Sequence, residues 1–437
     1  MSIIIAILVL SFLIIIHEIG HYSAAKLLNV RVVEFSLFMG PRLLSFTRGE
    51  TRYSLKLIPI GGSCLMEGEE SSSEDSRALN RKPKWVQAVI YAAGSFMNLA
   101  TAFILVLILN ISMGYSTCVL SAVAENSPAA TAPEPLKAGD TLVSYGGKRV
   151  HVPSDVFIYL QDTKGAAVDV TFKRGGALMG TVLTPSYTPG KRYILGFNGA
   201  QSDGPDWNLI QLVSEGEPAD ILGLRPGDRL LTVAGQTPAS REELREIFEA
   251  TGGGEVDVTW QRQDGSYASG RIAPAHVDGQ DNYSIGVYYE AASGAGVLDS
   301  LRYAYYNSLS YSKMVIYSLK WMITGTIGVD QVSGPVGIVA EIGAGLDETR
   351  GSPYGLQISI IYLMNLTALI GINLGLFNLI PFPPLDGSKL LILGIEAVRR
   401  KDIPIERQMA ISMFGFAVLI LIMVLTLFND IFKLVGR

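Results

Sequence analysis

Residues 2–27 read SIIIAILVLSFLIIIHEIGHYSAAKL, an apolar run interrupted only by His17, Glu18 and His21 before Lys26. A helix needs about 20 apolar residues to cross a bilayer core, and this run is long enough if Glu18 is tolerated. Three other stretches lack Asp, Glu, Lys and Arg altogether: 86–124, 354–385 and 408–429. Only 17% of the 437 residues are charged and the mean hydropathy is +0.32, where soluble domains carry roughly a quarter charged residues. The pattern predicts a multi-pass α-helical membrane protein with four transmembrane helices. A net charge of −5 gives no electrostatic case for nucleic acid. Two cysteines, Cys64 and Cys118, exclude a disulfide scaffold or a Cys-rich metal site. No basic n-region precedes the first run, and it continues past any cleavage point, so it reads as a span and not a signal peptide.

His17-Glu18-Ile19-Gly20-His21 matches H-E-x-x-H. On a helix the two imidazoles share a face, and the intervening Glu can reach a water on a shared ion, the metalloprotease arrangement. The motif arises by chance in a chain of this size at a frequency on the order of a per cent. Ionisable groups at membrane depth cost a few kcal/mol each, however, and mark function by default. Catalytic zinc takes three protein ligands and keeps one position open. His151 and His276 lie outside the spans. Asp386 closes a 32-residue uncharged stretch in Asn378-Leu-Ile-Pro-Phe-Pro-Pro-Leu-Asp386-Gly387, where prolines break the helix. His17, His21 and Asp386 therefore form the candidate Zn2+ set, with Glu18 as candidate base. A carboxylate beside a glycine also serves as a helix cap. Asn378 and Asn98 read equally well as interhelical hydrogen-bonding residues.

Residues 26–84 hold ten Lys or Arg, and 389–407 hold Lys389, Arg399, Arg400, Lys401 and Arg407, whereas 1–16 has none and 125–145 only Lys137. Cytoplasmic loops carry the Lys/Arg excess, which places these two loops inside and both termini and residues 115–350 outside. Residues 48–62 alternate like a β-hairpin beside the membrane. Residues 67–77, with five acids and four serines, read as a flexible loop. Residues 297–329 predict an amphipathic or interfacial helix, and Ser333-Gly-Pro-Val-Gly-Ile338 a loop that breaks any helix.

Between the second and third spans the texture is that of strands and turns. Leu136-Lys-Ala-Gly-Asp-Thr-Leu142 recurs as Leu224-Arg-Pro-Gly-Asp-Arg-Leu230, and Val168-Asp-Val-Thr171 as Val256-Asp-Val-Thr259, both 88 residues on. Two matches at one offset indicate a duplication. The turn followed by strand, helix and strand resembles a PDZ domain.

Taken together, these motifs resemble the site-2 protease family of intramembrane zinc metalloproteases, in the bacterial regulator-of-sigma-E protease type with tandem PDZ domains. The resemblance rests on 17–21, Pro59-Ile-Gly-Gly62 with Met66-Glu-Gly-Glu69, the two PDZ copies, 333–338, and Asn378 through Asp386-Gly387. It implies the fold of four transmembrane helices and a membrane-associated β-hairpin, with two inserted α+β PDZ domains. The implied division is 1–114, an N-terminal membrane domain; 115–200 and 201–292, PDZ domains 1 and 2; 293–353, an interfacial linker; and 354–437, a C-terminal membrane domain. It implies hydrolysis of transmembrane segments of single-span proteins, such as anti-sigma factors and signal-peptide remnants, in a bacterial inner or plasma membrane with the active site towards the cytoplasm. It further implies substrate-binding roles for Asn378, for Asn98, and for Leu55, Leu57 and Ile60 of a re-entrant hairpin over 53–62. Serine replaces the family's proline in Gly94-Ser-Phe-Met-Asn98, which loosens the case for Asn98. The PDZ pair is implied to filter substrates by their outer domain, though such grooves also bind peptide termini. A non-catalytic adaptor, anchored by its spans, is the competing class; it has no need of Glu18.

Overall fold

A computed structural model describes residues 2–69, 71–188, 190–199, 207–214, 216–278, 282–293, 296–326, 334–350 and 355–435. Among the described residues, four helices are long and apolar enough to cross a membrane: Ile3–Leu27, Lys84–Met113, Gly355–Asn378 and Ile405–Phe428. They are called the first to fourth spans below. The 26 residues of the first helix rise ~39 Å, more than a bilayer core needs. Its apolar residues run all round, as expected of a helix with lipid on one side and protein on the other.

Small residues set the helix contacts, because lipid tails give apolar side chains no reason to prefer protein. Gly20 of the first span lies against the Ala93 carbonyl of the second, where a Cβ would come within 2.4 Å. Gly371 and Gly375 of the third span rest on Ala102, Leu99 and the Ser95 carbonyl of the second. Ala102, Val106, Ala368 and Ile372 form the buried seam between them.

The expected hairpin at 48–62 is larger than its alternation suggested. Val32–Arg48 pairs with Thr51–Met66 through a turn at Gly49-Glu50. Both strands bend, the first where Phe38 and Gly40 take positive φ and the second at Gly61. Residues 34–37 consequently face 52–55 on one side and 62–65 on the other, as in Ser36↔Ser54 and Ser36↔Ser63. The first span supports this sheet: Ser11 Oγ donates to the Pro59 carbonyl at 2.8 Å. Backbone groups at membrane depth need such protein partners. At the turn, Glu50 accepts from Lys26 Nζ (2.8 Å) and from Arg77 (2.6 and 2.7 Å). These hydrogen bonds, Arg77's first, hold its carboxyl down to about 2. The loop after the sheet is closed by Ser73–Glu67 and Arg31–Asp75 contacts.

The helix Val297–Ile323 occupies most of the expected stretch 297–329, of which 327–329 lie outside the described residues. One expectation is corrected. Pro335 does not break a helix but begins one, Pro335–Arg350. Proline is tolerated in the first turn, where its missing N–H has no intrahelical partner in any case. Gly334 and Gly337 donate to Asp430 from the fourth helix, at 3.0 and 2.8 Å, so a carboxylate caps the new helix. Ser333 lies outside the described residues.

The chain divides into two compact units, Met1–Thr117 with His151–Ile158 and Ala291–Arg437, and Cys118–Val150 with Tyr159–Glu290. In the second unit the duplication extends to side chains. Strand Thr141–Tyr145 and its antiparallel neighbour Val168–Arg174 are matched by Arg229–Val233 and Val256–Gln261. Ser144–Thr171 and Thr232–Thr259 make the same 2.6 Å hydroxyl bridge. Asp140 and Asp228 each accept the backbone N–H three residues earlier, at 2.8 and 2.9 Å.

Candidate metal centre and its cleft

Successive helical turns of the first span carry His17 and His21, which are 8% and 7% exposed. Asp386 arrives from the other end of the chain, as the first residue of a helix, Asp386–Arg399, that starts just beyond the third span. The chain reverses tightly there. A Cβ on Gly387 would lie 2.3 Å from the Leu379 carbonyl and 2.4 Å from that of Ile380, so residue 387 has room only for hydrogen. This close return delivers the carboxylate to the imidazoles. Asp386 Oδ2 is 3.0 Å from His17 Nε2 and 3.2 Å from His21 Nε2, and the two Nε2 atoms are 3.0 Å apart.

Whether a cation fits is decided by protons. His21 Nδ1 lies 2.8 Å from the Ile90 carbonyl, an acceptor only, so Nδ1 carries the hydrogen and Nε2 presents a bare lone pair. His17 Nδ1 meets the side-chain amide of Asn98 at 3.4 Å, and the Asn98 oxygen is buried without a partner. Turning that amide end for end gives the oxygen the His17 Nδ1–H and leaves His17 Nε2 bare as well. With both rings neutral, two Nε2 lone pairs and a carboxylate oxygen then converge, a cluster of donor atoms suited to a cation. Tetrahedral zinc, with ligands at 2.0–2.2 Å, holds neighbouring donors about 3.3–3.6 Å apart, a little wider than the 3.0–3.2 Å seen here. Two nitrogens and one carboxylate oxygen at this spacing suit zinc, and each imidazole has an outer partner of the kind that orients metal-bound histidines. Among the described residues, this is the one group of three His, Cys, Asp or Glu side chains close enough to share an ion.

Gly94 of the second span completes the pocket wall. A Cβ there would sit 2.5 Å from His21 Nε2 and 2.6 Å from His17 Nε2. The rings therefore press directly on helix backbone.

Outside the triad opens a cleft of about 650 Å³, lined by Glu18 together with Ser63–Met66, Glu69, Tyr91, Lys389 and, on the fourth helix, Gln408, Met409, Ser412 and Met413. Gly62 packs against Glu18, since its Cβ position lies 3.3 Å from Glu18 Cγ. Lys389, one turn after Asp386, donates to Glu69 at 2.8 Å and lies 4.9 Å over the Tyr91 ring. This pair joins the loop after the sheet to the helix bearing Asp386.

Other expected site residues fall elsewhere. Asn98 is fully buried behind His17 and does not line the cleft. Leu55 lies inside the bent sheet, paired with both Leu37 and Leu44, and Leu57 is 55% exposed away from the cleft. Asn378 ends the third span, half-buried, and does not line the cleft either. The side chain of Ile60 lies outside the described ones. Besides Glu34 and Lys56, the strand segment that borders the cleft is 63–66. Its only sequence signal is the pair Gly61-Gly62, which marks where the second strand bends back toward the first span.

A family model described as Peptidase family M50 matches residues 5–422. The chain is 28% identical to a zinc metalloprotease of Geobacillus kaustophilus, over 99% of this chain and 98% of that one. It is 27% identical to the regulator of sigma-W protease of Bacillus subtilis, over 98% and 97%. A candidate zinc metalloprotease of Clostridium acetobutylicum is also 27% identical, over 98% and 97%.

Proposed function

This chain belongs to peptidase family M50, the zinc metalloproteases of the site-2 type, and from that membership we propose that it cuts peptide bonds within transmembrane segments of single-span membrane proteins. The observation that carries the reading is the meeting of two imidazole nitrogens and a carboxylate oxygen beside Glu18, in a cleft walled by helices long enough to cross a bilayer. In this reading His17, His21 and Asp386 hold the zinc, and Glu18 is the general base. When bound, zinc supplies Lewis acidity and a water of lowered pKa. Glu18 takes the water's proton and hands it to the leaving amine. Asn98 orients His17 from behind.

A peptide bond inside a helix is shielded by its own hydrogen bonds, so the substrate must unwind. Strand 63–66 borders the cleft and offers an edge on which an unwound segment satisfies its freed backbone groups, as in strand addition. Asn378 and the residues Leu55, Leu57 and Ile60 hold the substrate farther from the scissile bond. The repeats at 115–200 and 201–292 are read as PDZ domains that sort substrates by what lies outside the membrane, between membrane domains 1–114 and 354–437 and a linker at 293–353. The Lys/Arg distribution supports placing both termini and the repeats outside, and the catalytic cleft toward the cytoplasm. The Bacillus subtilis relative is a regulator of sigma-W protease, which supports anti-sigma factors as substrates here; signal-peptide remnants are the second class in this reading.

The test is co-reconstitution of the full chain with a single-span reporter. Glu18→Gln lowers the cleavage rate by roughly 10²–10⁴ or more while zinc content and thermal unfolding stay as in the unsubstituted chain. Undiminished cleavage by that variant overturns the assignment.

A further inference from the structure

The helix that begins with Asp386 has two faces. Ile392, Leu393 and Glu396 are buried against the rest of the membrane unit. Leu391, Ile395 and Val398, at i, i+4 and i+7, form a stripe on the opposite side and are 50%, 39% and 86% exposed. The segment runs between the third span, ending at Asn378, and the fourth, beginning at Ile405, so it lies at one surface of the bilayer. Its depth is marked independently. Glu396 accepts from Lys84 Nζ at 2.7 Å, and the next residue, Trp85, is 63% exposed at the first turn of the second span. Exposed tryptophan at the end of a spanning helix marks the headgroup level.

At the C-terminal end of this helix the chain turns through Arg400 in a left-handed conformation, φ 52°. Around the turn stand Arg399, Arg400, Lys401 and Arg407, all exposed, and among the described residues none of the four meets a carboxylate. Of the two acids between them, Asp402 is engaged by Lys84 at 3.0 Å and Glu406 stands exposed, which leaves the corner net positive. Four cations that meet no carboxylate at headgroup level, beside an apolar stripe that none of the described residues covers, match the surface of a bilayer leaflet that carries anionic lipids.

We propose that this corner binds anionic phospholipid headgroups, the stripe of Leu391, Ile395 and Val398 dipping among the acyl chains and the four cations gripping phosphates. The lipid thereby holds the far end of the helix whose first residue is Asp386.

The full chain is placed in nanodiscs of phosphatidylcholine, or of phosphatidylcholine mixed with phosphatidylglycerol, and treated with trypsin. Cleavage after Arg399, Arg400 and Lys401, relative to cleavage after the exposed Lys137, slows by about tenfold or more in the anionic discs. Arg407→Gln leaves those cleavage points intact and returns about fivefold of the protection, the worth of one basic residue at an anionic surface. Equal cleavage in the two kinds of disc overturns the proposal, as does an Arg407→Gln variant protected like the parent. Protection conferred equally by inorganic phosphate in phosphatidylcholine discs also overturns it, because the corner would then be a site for free anions.

Discussion

Two groups of charged and polar side chains, one in each compact unit, carry opposite lessons. Asp140, 1% exposed, accepts from Arg174 Nε (2.8 Å) and Nη2 (2.7 Å) and from the Lys137 N–H (2.8 Å). Arg174 in turn reaches Glu134 and the Pro135 carbonyl. Both Asp140 oxygens there meet donors. Burial alone would raise the Asp140 carboxyl, and the Arg174 hydrogen bonds more than reverse it, holding the group below its ordinary range. His17 and His21 are also buried and Asp386 is partly so, its side chain 13% exposed, yet their ring nitrogens and carboxylate oxygen face one another. Hydrogen-bond closure, more than burial, separates charge kept for stability from charge kept for chemistry. The first group is complete in the polypeptide; in the proposed reading a cation completes the second.

The contrast is broken most severely at the metal centre. Asp386→Asn keeps the shape but removes the negative ligand, and zinc per purified chain falls from about one to a small fraction, read by metal analysis, with cleavage lost in parallel. Asn98→Ala tests the outer partner of His17. Zinc affinity falls by about 10–100-fold in chelator competition, while KM for a reporter measured at saturating zinc is unchanged; a raised KM with normal zinc affinity would instead make Asn98 a substrate contact. In the repeats, removing one partner of a buried pair costs ~3–5 kcal/mol. Arg174 is about a quarter exposed, so Asp140→Ala is expected at the lower end of that range. Its counterpart Asp228 accepts only backbone N–H groups, so Asp228→Ala costs ~1–2 kcal/mol. Hydrogen exchange at strands 168–174 and 256–261 of the intact chain reads both. The smallest effect concerns Glu50. Its folded-state value of about 2 lies below the ordinary 4.5, so its contribution is complete above 4.5 and disappears as pH falls toward 2. Exchange at the 48–51 turn should accelerate across that window, and Glu50→Gln should abolish the acceleration.

Much of this was legible in sequence, for physical reasons that differ by region. Spans announce themselves as charge-free runs, and 17–21 places two imidazoles on one helical face whatever surrounds it. Asp386 could be reached because acids are so scarce near the membrane. The repeats were visible because turn and strand recur at one spacing, and the structure extends that match to Ser144–Thr171 and Thr232–Thr259. Strand 32–48 was hidden, since Gly40-Pro41 and the positive φ of Phe38 interrupt its alternation. The cleft wall from the fourth helix was hidden too. Gln408, Met409, Ser412 and Met413 read as one more face of a lipid-embedded helix until tertiary packing turns them toward Glu18. Asn98 was singled out, but periodicity cannot tell a residue facing the cleft from one standing behind a ligand.

Gly94 bears no functional group, yet it is as constrained as the histidines it touches. Each of the nineteen alternatives would begin with a carbon placed within 2.6 Å of both ring nitrogens, so the first bond of any side chain evicts what the position exists to accommodate. Gly94→Ala should therefore abolish catalysis while leaving every reactive group intact. An inventory of chemically competent residues would rank this position last, and a mutational scan would rank it beside the ligands.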